Sequence, residues 1–124
     1  VLTFRNLHNW LGPLMDTIFS NSYKALKPGG IFGVVEHRAN EGTTLEMMKK
    51  SGYVTEKHAI EMAKKHGFEL VSTSEVNSNP KDIKNYPKGV WTLPPNLRMK
   101  EEDKEKYLEI GESDRMTLLF RKPL

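Results

Sequence analysis

Residues 1 to 38 constrain the fold of this 124-residue chain more than any other stretch. Val1 to Phe4 is a short apolar run that turns abruptly polar at Arg5, Asn6, His8 and Asn9. A strand buried on both faces reads this way where it ends in a loop, and a central sheet position suits it better than an edge. Leu11, Leu14, Met15, Ile18, Phe19, Ala25 and Leu26 then recur at helical spacing, with Pro13 at a first helical position where its missing N–H costs nothing. "KPGG" closes the helix, with Pro28 presetting the turn and Gly29 or Gly30 taking the left-handed conformation. A second apolar run, "IFGVVEHR", follows, in which Gly33 suggests a closely packed helix. Strand, helix, tight turn and strand form a βαβ unit, so the first two strands are expected to be parallel.

Residues 39 to 78 are expected to add a helix and a strand. "TEKHAIEMAKKHGF" has Thr55 as N-cap, Ile60 and Ala63 on the inner stripe, and Gly67 as C-cap with Phe68 folding back. His58 and His66 fall on its presumed solvent side. "ELVSTSEVN" reads as a strand. Residues 79 to 100 form a long proline-rich loop (Pro80, Pro87, Pro94, Pro95) with neither helical nor strand period, in which Trp91, Val90 and Leu93 argue for packing onto the body. Residues 101 to 124 supply a short helix, "EEDKEKYLEI", and a final antiparallel strand, "DRMTLLFRK", with Met116, Leu118 and Phe120 on one face. The whole, 1 to 124, reads as a single α/β domain: a partial sheet of about four strands, the first two parallel and the last antiparallel, with flanking helices.

Composition narrows the function. The chain has no cysteine, which removes disulfides, thiolate catalysis and Cys-ligated zinc. Its net charge of +3 is small, and the basic residues are interspersed with acidic ones, so no nucleic-acid partner is expected. No apolar run is long enough to span a membrane, and no membrane partner is expected. Cytoplasmic location is the default; any N-terminal address would lie ahead of Val1.

In an open parallel sheet, ligands bind beyond the carboxyl ends of the strands. Here the two parallel strands release polar groups at one rim: Arg5, Asn6, His8 and Asn9 from the first, Glu36, His37 and Arg38 from the second. His8, Glu36 and His37 are the candidate catalytic residues, His37 as a base that Glu36 could orient if the loop sorts the two side chains to one side. Asn9, Arg38, Tyr86 and Trp91 are candidate substrate or lid residues, the aromatic pair because rings supply area at little entropic cost. No metal is expected, because His8 and His37 lack a third ligand at helical or hairpin spacing.

"FRNLHNW", a helix and "ALKPGGIFGVVEHR" resemble the second half of a class I S-adenosylmethionine-dependent methyltransferase: fourth strand, helix, "LKPGG" and a fifth strand ending in an acidic residue. The "RN" is similar to that of ubiquinone and menaquinone biosynthesis methyltransferases. "GYVTEKHAIEMAKKHGFELVSTSEVNSNPKD" followed by "YPKGVWTLPP" resembles a group of bacterial methyltransferases without an assigned substrate. The resemblance implies a Rossmann-like fold and places Phe4, Arg5 and Asn6 beside the cofactor and Glu36 and His37 at the fifth-strand end. The glycine-rich cofactor loop and the ribose-binding acid would lie ahead of Val1. The chain is therefore expected to be the truncated C-terminal portion of a methyltransferase that acts on a small molecule with S-adenosylmethionine. Alone it is expected to bind no cofactor and to be inactive. The alternative is a non-catalytic association module, a homodimer paired through the open Val1–Phe4 strand edge.

Overall fold

A computed structural model describes all residues, 1–124. Four strands form one mixed sheet: β1 (Leu2–Phe4), β2 (Ile31–His37), β3 (Glu69–Ser74) and β4 (Arg115–Arg121), in the order β1-β2-β4-β3. β1 runs parallel to β2, Thr3 opposite Val34, whereas β4 is antiparallel to both β2 and β3. The fold is thus the mixed α/β sheet expected, with one parallel pair.

β1 departs from expectation in its position. It is the edge of the sheet, with Thr3 covered but Leu2 63% and Phe4 56% exposed. Three residues of alternating burial cannot be buried on both faces when only β2 flanks them. Gly33 is explained by this edge and not by a helix: a Cβ there would stand 2.8 Å from Cδ2 of Leu2, its partner in register.

The helices are α1 (Pro13–Ala25), α2 (Leu45–Ser51), α3 (Glu56–Lys65) and α4 (Lys104–Ile110). α1 starts at Pro13 as expected, and Gly29 takes the left-handed turn at φ 83°. Met15 and Phe19 are its buried residues, while Leu14 faces solvent. Thr55 caps α3 by accepting from the His58 N–H. At the other end the Phe68 N–H returns to the Ala63 carbonyl, and Gly67 lies just beyond the capping residue, His66. His66 is not a free surface histidine. Its Nε2 lies 2.9 Å from Asp16 Oδ1 and ties α3 to α1. His58 is half-buried too.

One face of the sheet, Phe32, Val34, Met116, Leu118 and Phe120, packs with Phe19, Ala59, Ala63 and Phe68 into the core. The opposite face, with Leu2, Phe4, Val35 and Leu119, lines a shallow apolar depression of about 220 Å³.

α2 was not anticipated. Its seven residues are too few for a clear period, yet Thr44 caps it and Gly52 ends it in the left-handed region. It receives the long loop, whose Gly89–Thr92 segment forms a turn of 3-10 helix. A Cβ on Gly89 would lie 2.5 Å from the Ser51 carbonyl oxygen, and one on Gly52 2.9 Å from the Trp91 ring. Loop and helix therefore meet backbone against backbone.

Candidate functional site

β2 places Phe32, Val34 and Glu36 on its covered face, so Glu36 is a fully buried carboxylate. A buried charge needs donors on its oxygens. The 3-10 turn Leu7–Asn9 supplies them: the His8 backbone N–H donates to Oε2 at 2.9 Å, and His8 Nδ1 lies 3.0 Å from Oε1. The His37 backbone N–H donates to Oε1 at 2.8 Å. Glu36 therefore orients His8. The expectation that it would orient His37 fails because the two alternate across the strand, and the His37 ring turns instead to the Ser113 hydroxyl.

The two imidazoles lie together, ring centroids 5.4 Å apart, and the Trp91 ring packs T-shaped with His8, centroids 5.9 Å apart. They open into a pocket of about 300 Å³ whose walls include Arg5, Asn6, Trp91, Asn96, Ser113 and Arg115, with Phe4 at its border. Arg5 enters it from a left-handed backbone, φ 56°, at the end of β1. Such strain in a non-glycine residue persists only where surrounding structure enforces it. Burial holds His37 neutral, with His8, Arg115 and Arg5 adding to the effect, and lowers its pKa to about 3.

The sequence candidates divide accordingly. Phe4, Arg5, Asn6, His8, His37 and Trp91 converge on this pocket, and Glu36 sits directly behind His8. Asn9 stays outside, its side-chain amide donating to Asn6 Oδ1 at 3.3 Å. Tyr86 also lies elsewhere: it packs edge-on against Tyr107, its hydroxyl accepting from the Ile83 N–H, and so anchors the loop. Burial and Asp82 raise its pKa to about 12. Trp91, more readily taken for the anchor, is the ring on the pocket wall.

Arg38 is the hub of an ion network. Its guanidinium donates through Nε and Nη2 to Asp114, both at 2.9 Å, and reaches Glu75 at 2.8 Å and Glu56 at 3.2 Å. Burial alone would raise the Asp114 pKa, but hydrogen bonds from Arg38 and Lys84 outweigh it and hold the carboxyl well below its usual range. The "NPKD" segment joins the same network. Asn79 donates to the Ile110 and Glu112 carbonyls, while Asp82 accepts from the Tyr53 hydroxyl and the Asp114 N–H. These contacts set the start of β4 beside the end of β2.

Ser113, Arg115, Pro94, Pro95 and Asn96 were missed from the sequence. The signal for Arg115 is the antiparallel pairing that puts it opposite His37, which requires the register between two distant segments.

His8, Glu36 and His37 bring one ligand atom each to within 4.8 Å of one another, a spacing that could hold a metal ion. Both Glu36 oxygens are already engaged by N–H donors, however, and Arg5 and Arg115 on the same pocket oppose a cation. The strand-to-helix connection after β1 carries a single glycine, Gly12.

Comparison with solved structures gives the fold. The chain superposes on a Listeria monocytogenes protein described as a "putative S-adenosylmethionine dependent methyltransferase", with a TM-score of 0.54 and 17% identity, over 100% of this chain and 61% of that one. It also matches the [4+2]-cyclase SpnF, with a TM-score of 0.52 and 18% identity, over 88% of this chain and 44% of that one. This is a class I methyltransferase-like fold. The chain spans less than two thirds of either relative's length. No protein-family model matches the sequence, and no curated protein matches it. No helix is long and apolar enough to cross a membrane.

Proposed function

We propose that these residues form the acceptor side of an S-adenosylmethionine-dependent methyltransferase that acts on a small molecule in the cytoplasm. The observation that carries this reading is the His8–Glu36 pair at the carboxyl rim of the parallel strands of a methyltransferase-like fold. The donor supplies an electrophilic methyl group. The chain's own contribution is a base: with Nδ1 held by the Glu36 carboxylate, His8 keeps its lone pair on Nε2. The acceptor's nucleophile would take the methyl carbon as that carbon's bond to the donor's sulfur breaks, releasing a neutral thioether; the nucleophile's proton would pass to that nitrogen, and the buried carboxylate would balance the imidazolium. Holding the acceptor against the donor supplies a further part of the rate.

The donor's cradle belongs, on this reading, to sequence ahead of β1, and residues 1–124 alone neither bind the donor nor turn over. Calorimetric titration of this chain with S-adenosylmethionine is expected to show no micromolar binding; a micromolar isotherm would overturn the half-site assignment. In a longer polypeptide with a glycine-rich strand-to-helix turn ahead of β1, His8→Ala is expected to lower kcat by about a hundredfold or more without changing donor affinity. Unchanged turnover would remove His8 as the base.

A second reading is favoured by the exposed Leu2 and Phe4 on an edge strand. On it the chain is a non-catalytic module that forms a homodimer through Val1–Phe4. A strictly monomeric chain in sedimentation at micromolar concentration would count against it.

A further inference from the structure

The hydrogen bonds around the pocket bear on which of its nitrogens give and which receive. Arg115 Nε can only donate, and it lies 3.2 Å from the Ser113 oxygen. That hydroxyl, accepting from Arg115, still has a proton of its own to give to Nδ1 of His37, with which it is in contact. With Nδ1 accepting that proton, neutral His37 carries its hydrogen on Nε2, its remaining polar atom. His8 is the opposite case: its Nδ1 lies against the Glu36 carboxylate, so a neutral ring gives Nδ1–H there and keeps its lone pair on Nε2. Side by side on one wall, the two rings offer one acceptor and one donor.

Charge on the same wall is one-sided. Arg5 and Arg115 line the pocket and no acidic residue does. The two guanidinium groups share a single carboxylate, Glu112, with Arg115 Nη2 at 2.9 Å and Arg5 Nη1 at 4.0 Å from the same Oε1. Glu112 is 56% exposed, so an incoming anion can displace it into water. A ligand anion would gain two cations that now have one weakly held partner between them.

The geometry points to an acceptor that carries a carboxylate beside its nucleophile: the carboxylate replaces Glu112 between Arg5 and Arg115, His37 Nε2–H donates to it or to a neighbouring oxygen, and His8 Nε2 faces the nucleophile. This rests on the acceptor-site reading above. Trp91 adds a flat apolar wall, and the pocket of about 300 Å³ suits a molecule of single-ring size.

The test uses 3-hydroxybenzoate and its neutral counterpart 3-hydroxybenzamide, titrated into the isotope-labelled chain and followed by NMR at the His8 and His37 rings and at Arg115 Nε. The benzoate is expected to bind at least tenfold more tightly than the amide and to shift all three signals. Glu112→Gln, a change at an exposed side chain, is expected to tighten benzoate binding severalfold by removing the resident competitor. Arg115→Gln is expected to weaken benzoate at least tenfold and leave the amide unchanged. Equal binding of both probes with His8 shifted would overturn the carboxylate assignment and leave the acceptor pocket standing. Shifts at Arg115 with His8 silent would keep an anion site but overturn its link to the base. Binding of neither probe at millimolar concentration would overturn both readings.

Discussion

A carboxylate without solvent contact organises its surroundings, and Glu36 does so by drawing one imidazole and two backbone N–H groups onto itself. His37 next to it is half-buried with its ring on the Ser113 hydroxyl and stays neutral down to about pH 3. The consequence for stability has a definite sign. An unfolded histidine takes its proton near pH 6.5 and the folded His37 near 3, so between these values the unfolded chain binds more protons. Stability from this group is complete above pH 6.5 and falls as pH falls, with a slope that approaches about 1.4 kcal/mol per unit. Urea midpoints measured from pH 7 to pH 4 are expected to show this slope, reduced in His37→Gln. An unchanged slope in that variant would show that other groups carry the acid sensitivity. His8, Glu36 and His37 were legible in the sequence because polar residues end apolar runs there. Their partnership was not, since it depends on which way each side chain leaves the strand. Ser113 and Arg115 were invisible for a related reason: only folding brings "ESDR" to the end of β2.

At the scale of elements, α2 and the long loop behave as one piece. Gly89 lets the loop backbone touch that of Ser51, Gly52 leaves room for the Val90 and Trp91 side chains, and together they set Trp91 on the wall of the pocket. Gly89→Ala would put a methyl group into the Ser51 backbone at a position with φ 60°. It is expected to cost about 2–3 kcal/mol and to red-shift Trp91 emission in a Trp10→Phe background. An unshifted spectrum would mean that Trp91 is held by other contacts, such as the Arg98 guanidinium 5.0 Å from its ring. β1 could be read from an apolar run that turns polar, β2 to β4, α1 and α3 from period and capping, and α4 from the acid in its first turn. α2 has seven residues, and the loop is ordered by Asn79, Asp82 and Tyr86 binding distant partners. Neither leaves a periodic trace.

At the scale of the whole molecule, the sheet is covered on one face and open on the other, where Leu2, Phe4, Val35 and Leu119 gather. Apolar surface of this kind seeks cover. Phe4→Ser with Leu2→Thr is expected to reduce concentration-dependent association in sedimentation and binding of an apolar dye. Association unchanged in the double variant would place the contact elsewhere. The run Val1–Phe4 was read as a doubly buried strand because its residues are apolar; which neighbours flank it is not written in those residues. The strand order also has a consequence in time. β4 is the last of the four strands to be synthesised, yet it lies between β2 and β3, and Phe32 meets Phe120 across the centre of the sheet. Until the ribosome has released β4, β2 lacks one neighbour and β3 has none. The sheet can close only after nearly all of these residues have been made, so β3 waits unpaired and β2 half-paired through synthesis, the interval in which such chains most depend on chaperones.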